Sequence, residues 1–326
     1  MTIGTTRRGE NRTSAPHQPF HGVGAAAAKV ILFGEHSVVY RGGAIALPLE
    51  ELPVRAELDS SAGPGRLECV LYSGTIDAAP LALAPTVTAL RVACAAFGLA
   101  ETGLRLRIRS SIASGRGLGS SAASAAAVVA AVADAAGATL DDSTRHELIQ
   151  RAERVAHGRP SGLDARAVVA HRPIWFERGA ARAIDASGVV LVVADTGIHG
   201  STRAAVEGVR ARRDASPAAV DATIDRLAGL AEGGREDLAR GARAELGERM
   251  DDAHALLRSL GVSSPELDGL AGAARAAGAL GAKLTGGGLG GCLIALADDA
   301  DAGAEIARHL RAAGARQTWL TSGGTA

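Results

Sequence analysis

The chain contains 326 residues, which is enough for one large domain or two ordinary domains. Its 35 basic and 35 acidic residues balance, which argues against a general nucleic-acid binder because such proteins carry excess positive charge. No uninterrupted apolar run is long enough to cross a membrane. We therefore expect neither a nucleic-acid partner nor a membrane partner.

Residues 1–24 contain arginines but no apolar run behind them, so they lack the pattern of a secretory signal. We expect them to form a disordered tail. The chain also has three cysteines without the spacing of a metal site: Cys69, Cys94 and Cys292. Isolated thiols of this kind are typical of a reduced protein, so we expect a cytoplasmic location.

The first predicted elements are mostly strands. In order, we predict a strand ending at Gly34, one or two strands over 44–59, a short strand over 66–72, a helix over 84–98 and a strand over 104–109. Gly98 is a typical helix end. The strict Leu–Arg alternation of "LRLRIR" indicates a strand with one buried and one solvent face.

The stretch "SGRGLGSSAAS" (114–124) follows and raises the first functional question. It lacks the Lys that follows the glycines of the common phosphate loop, so either a different phosphate loop or a flexible turn would fit. The alanines and valines up to Gly137 form a helix that is apolar on nearly all sides, which is typical of a buried helix. Such a helix directs its unpaired N–H groups at the loop, which favours phosphate.

A second helix is predicted from about residue 142 to Gly158, with Glu153 at the edge of its apolar stripe. A carboxylate at that position could be solvated or could face a cleft. Ser161 and Asp164 then have the spacing of a helix-capping box. Asp164 could therefore either cap a helix or act chemically.

The second half of the chain begins a new domain near residue 185. In order, we predict a buried strand over 188–197, helices to about 277, a strand–glycine loop–strand unit in "LGAKLTGGGLGGCLIAL", a helix over 299–313 and a last strand in "QTWLT". The chain thus contains two glycine-rich loops, which let backbone amides approach an anion closely.

Lysine is scarce, since only Lys29 and Lys283 are lysines among the 35 basic residues. Arginine cannot replace a compact point charge everywhere, so both lysines are candidates for specific roles. Phosphoryl transfer to an alcohol needs a group that orients the hydroxyl and a cation near the phosphoryl group, and Asp164 and Lys29 could supply them. Ser121 with Glu153 would be a reasonable Mg²⁺ ligand set.

Four segments resemble the successive signatures of the galactokinase, homoserine kinase, mevalonate kinase and phosphomevalonate kinase superfamily. They are "KVILFGEHSVVY" (29–40), "GRGLGSSAAS" (115–124), "ERVAHGRPSGLDA" (153–165) and "GAKLTGGGLGGC" (281–292). Within the superfamily, "GEHSVVY", "HGRPSGLD" and "DTGIHGSTR" are most similar to the mevalonate kinase family. Galactokinases carry an acidic residue soon after the His, and homoserine kinases lack the equivalent of Asp164.

The resemblance implies ATP-dependent phosphorylation of the C5 hydroxyl of mevalonate, with Mg²⁺, for isoprenoid synthesis. It gives catalytic roles to Asp164 and Lys29, metal binding to Ser121 and Glu153, and acceptor binding to Glu35, His36 and Thr202. It assigns the ATP phosphates to Gly115, Arg116, Gly117, Leu118, Gly119, Ser120, Ser121, Ala122 and Ala123. It implies a third motif formed by Gly286, Gly287, Gly288, Gly290 and Gly291.

The implied fold is α+β, a two-domain small-molecule kinase. An S5-like N-terminal domain (25–185) would hold the catalytic and ATP sites, and a ferredoxin-like C-terminal domain (186–326) would close over them. A homodimer is suggested by the resemblance alone. Rival interpretations are a superfamily kinase for another small alcohol, such as phosphomevalonate or a sugar, and a non-catalytic nucleotide-binding relative.

Several positions depart from the family pattern. Ala27–Ala28 replaces the usual Pro-Gly, Arg41–Gly42 replaces a single Gly, and Ala113 stands where a Pro begins the second motif. In the third motif, Gly287 takes the place of an Ala and Leu289 interrupts the glycines. Because a Leu cannot adopt every backbone shape open to Gly, we expect altered loop geometry.

Overall fold

The computed structural model describes residues 19–40, 42–158 and 160–324. In the first part of the chain the strands are β1 (His21–Phe33), β2 (Ala44–Ser60), β3 (Arg66–Cys69), β4 (Tyr72–Thr75), β5 (Leu104–Ser110), β6 (Ile174–Glu177) and β7 (Ala180–Ala183). The helices of this part are α1 (Ala84–Phe97), α2 (Ser120–Ala135), α3 (Asp142–His157) and α4 (Leu163–Ala167).

These seven strands form one mixed sheet in the order β4-β3-β5-β2-β6-β7, and β1 pairs with β2 along its length. The 44–60 segment is a single long strand, which decides between the one or two strands expected there. Helix α2 is the centre of the core, since ten of its residues, mostly Ala and Val, are buried. The buried Ala-rich helix was predicted correctly.

The prediction that residues 1–24 form a disordered tail is wrong for residues 21–24, because β1 begins at His21. Gly22 and Gly24 lie directly against the backbone of α2, where a Cβ on Gly24 would stand 2.0 Å from the carbonyl oxygen of Ala127. The lack of side chains lets this segment pack as a strand. Residues 1–18 lie outside the described residues.

The second part of the chain forms a separate sheet. Its strands are β8 (Val190–Asp195), β9 (Gly281–Thr285), β10 (Cys292–Ala297) and β11 (Gln317–Ser322), and its helices are α5 (Thr202–Ala215), α6 (Pro217–Arg240), α7 (Arg243–Ser259), α8 (Pro265–Ala276) and α9 (Ala300–Ala312). The antiparallel strand order β11-β8-β10-β9, with helices after the first and third strands, is the ferredoxin-like arrangement. The predicted α+β fold is confirmed.

The two sheets meet where β1 ends. Helix α6 packs on the first sheet, and its Gly234 lies so close to Phe33 that a Cβ would stand 2.6 Å from the ring. On the other side of this junction, the loop before α2 and the loop between β9 and β10 approach each other. Among the described residues, no helix has the length and apolar character needed to cross a bilayer.

Candidate active site

A cavity of about 360 Å³ lies at the junction between the two sheets. Its wall contains most of the predicted site residues: Lys29, Glu35, His36, Gly115, Gly117, Gly119, Ser120, Ser121, Ala122, Glu153, Asp164, Thr202, Gly286, Gly287, Gly288 and Gly290. The fold thus brings together segments that are as far apart in sequence as residues 29 and 290.

Lys29 and Asp164 form an ion pair at this wall. Lys29 lies on β1 and is only 2% exposed, and its Nζ is 3.0 Å from Oδ1 of Asp164 and donates to the carbonyl oxygen of Gly117. The Asp164 side chain keeps a third of its surface exposed. The carboxylate is therefore held in a fixed position, yet it can still be reached from the cavity.

The capping box expected for Ser161 and Asp164 is absent. Helix α4 begins after Gly162, whose φ of +94° places it in the left-handed region, and no side chain caps the helix. Ser161 instead accepts a hydrogen bond from the N–H of Leu163. Asp164 therefore makes no capping hydrogen bond, and its side chain pairs with Lys29 instead.

The loop before α2 directs the start of that helix into the cavity. Gly119 precedes the helix with a φ of +74°, and a Cβ there would stand 3.1 Å from the Lys29 side chain. The positive φ therefore favours glycine, and an added Cβ would also crowd the Lys29 side chain. The N–H groups of the first turn of α2 have no intrahelical partners and carry the positive end of the helix dipole, so they attract an anion.

Ser121 and Glu153 lie beside the ion pair. Ser121 Oγ donates to Glu153 Oε1 at 2.7 Å, and Glu153 is 1% exposed. Burial, assisted by the nearby negative charge of Asp164, raises the pKa of Glu153 to about 7. Glu153 thus faces the cleft, which decides between the two interpretations given above. A nearby cation would stabilise its charged form.

Glu35 and His36 follow directly after β1 and line the cavity from the other side. His36 has a φ of +61°, and its Nε2 lies 3.0 Å from the carbonyl oxygen of Gly287, so Nε2 is the donor. Burial lowers the pKa of His36 below its usual value. His36 is therefore a neutral hydrogen-bonding group that ties the first sheet to the third glycine motif.

The altered third motif is accommodated in two different ways. A Cβ on Gly287 would lie 2.7 Å from Cα of Thr202, so the Ala usual at this position would not fit here without movement. Leu289 has a φ of +58°, and its N–H donates to the carbonyl oxygen of Val262 at 2.7 Å. Holding Leu in this left-handed conformation costs about 1–2 kcal/mol, which the surrounding loop must offset.

Four predicted residues lie beside the cavity rather than on its wall: Arg116, Leu118, Ala123 and Gly291. The Arg116 side chain does not line the cavity, and its Nε is 3.2 Å from Oδ1 of Asp195 at the end of β8 in the second sheet. Both residues are more than 90% buried. This pair was not predicted, and no local sequence signal identifies it because its members lie on different motifs.

The sequence also did not assign a partner to Lys283. Lys283 lies on β9, is fully buried and forms an ion pair with Glu35. The scarcity of lysine was the signal that singled it out. Arg203, which directly follows Thr202, donates to the carbonyl oxygen of Ala156 at 3.0 Å and was missed entirely.

The GHMP kinase N-terminal domain matches residues 85–172, and the GHMP kinase C-terminal domain matches residues 235–316. The chain belongs to the GHMP kinases.

Within this family the chain is similar to mevalonate kinases. It is 34% identical to the mevalonate kinase of Pyrococcus horikoshii, over 89% of this chain and 92% of that protein. It is 36% identical to the mevalonate kinase of Aeropyrum pernix, over 83% and 87% of the two chains. The structure of L. major mevalonate kinase in complex with R-mevalonate matches with a TM-score of 0.80 and 28% identity, covering 94% of this chain and 97% of that one.

Proposed function

We propose that this protein transfers the γ-phosphoryl group of ATP to the C5 hydroxyl of mevalonate, giving 5-phosphomevalonate for isoprenoid synthesis. The observation that carries the proposal is the Lys29–Asp164 pair at 3.0 Å, on a cavity wall that both glycine loops help to form. The similarity to mevalonate kinases over most of the chain supports the choice of acceptor.

ATP would bind at the phosphate loop with its phosphates toward the start of α2. GHMP kinases use ATP, and the glycines of this loop leave room for backbone amides to approach the phosphates. Ser121 and Glu153 fit a Mg²⁺ ion because hydroxyl and carboxylate oxygens are its usual protein ligands. Among the described residues, no group of three His, Cys, Asp or Glu side chains is arranged to hold a metal, so phosphate oxygens would complete the set.

Asp164 would accept a hydrogen bond from the C5 hydroxyl and orient its oxygen toward the phosphoryl group. Lys29 would hold Asp164 in place and offset negative charge that develops on the transferred group. Mg²⁺ bound at Ser121 and Glu153 would neutralise charge on the phosphate oxygens. Glu35, His36 and Thr202 would contact the remainder of mevalonate.

The proposed domain division gives the catalytic and ATP-binding residues to residues 25–185, now extended to the start of β1, and the closing third motif to residues 186–326. We also propose a cytoplasmic location, which the three unpaired cysteines support. A homodimer stays a prediction. Other small alcohols, galactose and 5-phosphomevalonate among them, are the competing acceptors.

ADP release tests the proposal directly. The purified protein is incubated with Mg-ATP and, separately, mevalonate, 5-phosphomevalonate, homoserine, galactose or no acceptor. We expect turnover with mevalonate alone. Asp164→Asn should lower kcat by about 10²- to 10⁴-fold because the hydroxyl loses its charged acceptor.

Asp301→Asn is the matched control, since Asp301 is an exposed aspartate in the first turn of α9. It should leave kcat unchanged. Turnover on a different acceptor would keep the roles of Asp164 and Lys29 and replace the substrate. Turnover that survives in Asp164→Asn would contradict the mechanism.

A further inference from the structure

Hydrogen bonds made by three side chains join the segment 31–36 to the segment 283–287 of the second domain. Thr285 Oγ1 accepts from the N–H of Ile31 at 2.8 Å and donates to its carbonyl oxygen at 3.0 Å. His36 donates to the carbonyl oxygen of Gly287. Between them, Lys283 contacts both Ile31 and Glu35. Because alternate residues of a strand share a face, Lys283 and Thr285 project from β9 toward the same target.

The ammonium group of Lys283 has three donors, and all three are used. They reach the Glu35 carboxylate, the carbonyl oxygen of Leu284 at 2.8 Å and the carbonyl oxygen of Ile31 at 3.4 Å. Lys283 is 0% exposed and Glu35 is 3% exposed. An Arg would bring a planar group of greater volume into this closed space, which explains why an Arg-rich chain keeps a lysine here.

Each charge of this pair depends on the other. Burial raises the pKa of Glu35 and lowers the pKa of Lys283, while their mutual attraction opposes both shifts. Lys29 is the other cation that acts on the pair. Burial lowers the pKa of His36, which adjoins Glu35, and the pKa of His254, on which the charge of Lys283 also acts. Without Lys283, burial would favour the protonated, neutral form of Glu35.

We propose that Lys283 is a positioning residue for acceptor binding: from the second domain, it fixes the charge and direction of Glu35 at the cavity wall. One carboxylate oxygen of Glu35 is held by Lys283, and the group lines the cavity where the acceptor would bind. This inference rests on the proposed function for the identity of the acceptor.

Steady-state kinetics of Lys283→Met, Glu35→Gln and the double variant test the inference. Lys283→Met should raise KM for mevalonate by about 10- to 100-fold, the loss of one charge-assisted hydrogen bond, and change KM for ATP by much less. Glu35→Gln should have the same effect. The double variant should be no worse than either single variant, because the two residues act as one unit.

Thr285→Val is the structural control, since it removes two hydrogen bonds to Ile31 and no charge. It should lower the Tm without a selective rise in KM for mevalonate. If Lys283→Met behaves like Thr285→Val, or leaves KM for mevalonate unchanged, Lys283 is only structural and the inference is wrong. The double variant, a neutral pair of similar volume, guards against a single variant that fails to fold.

The inference and the proposed function can fail separately. If the wild-type protein phosphorylates another acceptor, the function is wrong and the same variants are measured with that acceptor. If nothing is phosphorylated, the inference is tested by urea unfolding of four proteins: the wild type, Lys283→Met, Glu35→Gln and the double variant. If Lys283→Met lowers the free energy of unfolding in the wild-type protein but not in the Glu35→Gln variant, the two residues act as one unit. If the losses in the two single variants add up in the double variant, the inference is wrong.

Discussion

Glu153 is a carboxylate in a site that favours its protonated form. Its folded-state pKa of about 7 lies above the ordinary value of 4.5, and burial is the largest cause. Between these two pH values the folded protein binds a proton that the unfolded chain does not bind. The free energy of unfolding therefore falls as pH rises from about 4.5 to about 7, and the full penalty applies above pH 7.

Glu153→Gln should remove this penalty. Gln still accepts from Ser121 but carries no charge, so we expect the variant to be more stable than the wild-type protein by up to about 3 kcal/mol above pH 7. The difference should shrink toward pH 5. Urea unfolding with a chelator and without nucleotide measures it at both pH values. Glu147→Gln, an exposed carboxylate on the same helix, should show no such pH-dependent gain; an equal gain there would contradict the assignment to burial.

At the residue scale, the motifs identified side chains that lie close together in the structure. Lys29, Asp164, Ser121 and Glu153 were all predicted, and the structure brings them to one cavity wall. What the sequence could not provide was pairing across motifs, as between Arg116 and Asp195. Such a pair depends on how two domains pack, and a residue's local pattern carries no information about a partner on another element.

At the scale of the elements, the packing of β1 against α2 depends on glycine. Gly24 is buried against α2, and the atoms nearest to an added Cβ belong to helix backbone, at 2.0 Å and 2.5 Å. A helix backbone cannot rotate aside as a flexible side chain can. The contact between strand and helix therefore requires glycine at this position.

Gly24→Ala should lower the free energy of unfolding by about 3 kcal/mol, the upper range for an overpacked core, because β1 and α2 must separate. Gly208→Ala is the comparison, since Gly208 lies exposed within α5 with no atom near an added Cβ. There, Ala should stabilise by about 0.5–1 kcal/mol through its higher helix propensity. Thermal or urea unfolding of both variants gives the two signs. A destabilising Gly208→Ala would indicate a contact that the structure does not contain.

Elements with a clear periodic pattern were predicted well, whereas segments without such a pattern were not. The alternating strand β5 and the apolar helix α2 carry clear patterns, and both were found close to the predicted bounds. The start of β1 has the sequence "HGVG". Its glycines have no side chains, so this segment lacks the alternation of apolar residues from which a strand is predicted. Similarly, the capping pattern at Ser161 predicted a helix start that Gly162 provides by its backbone conformation instead.

At the scale of the whole molecule, the site exists only where the two domains meet. Lys29, Ser121, Glu153 and Asp164 come from the first domain, and the third glycine motif comes from the second. A Cβ on Gly286 would stand 2.9 Å from Cα of Gly117, so the two glycine loops are in direct backbone contact. The width of the cavity therefore depends on how firmly the domains are held together.

Substitution of Arg116, which pairs with Asp195, tests how firmly the domains are held together. Arg116→Ala leaves Asp195 buried with only the N–H of Gly197 as a partner among its known contacts, so we expect the free energy of unfolding to fall by about 3 kcal/mol. Because Arg116 belongs to the loop proposed to bind the ATP phosphates, a shift of that loop in the variant should also raise KM for ATP. Arg308→Ala, which breaks an exposed pair with Glu305, should change the free energy of unfolding little and leave KM for ATP unchanged. Equal losses of unfolding free energy in the two variants would mean that the buried pair does not hold the domains together. A larger loss in Arg116→Ala, together with a higher KM for ATP, would show that Arg116 supports both the domain contact and the nucleotide site.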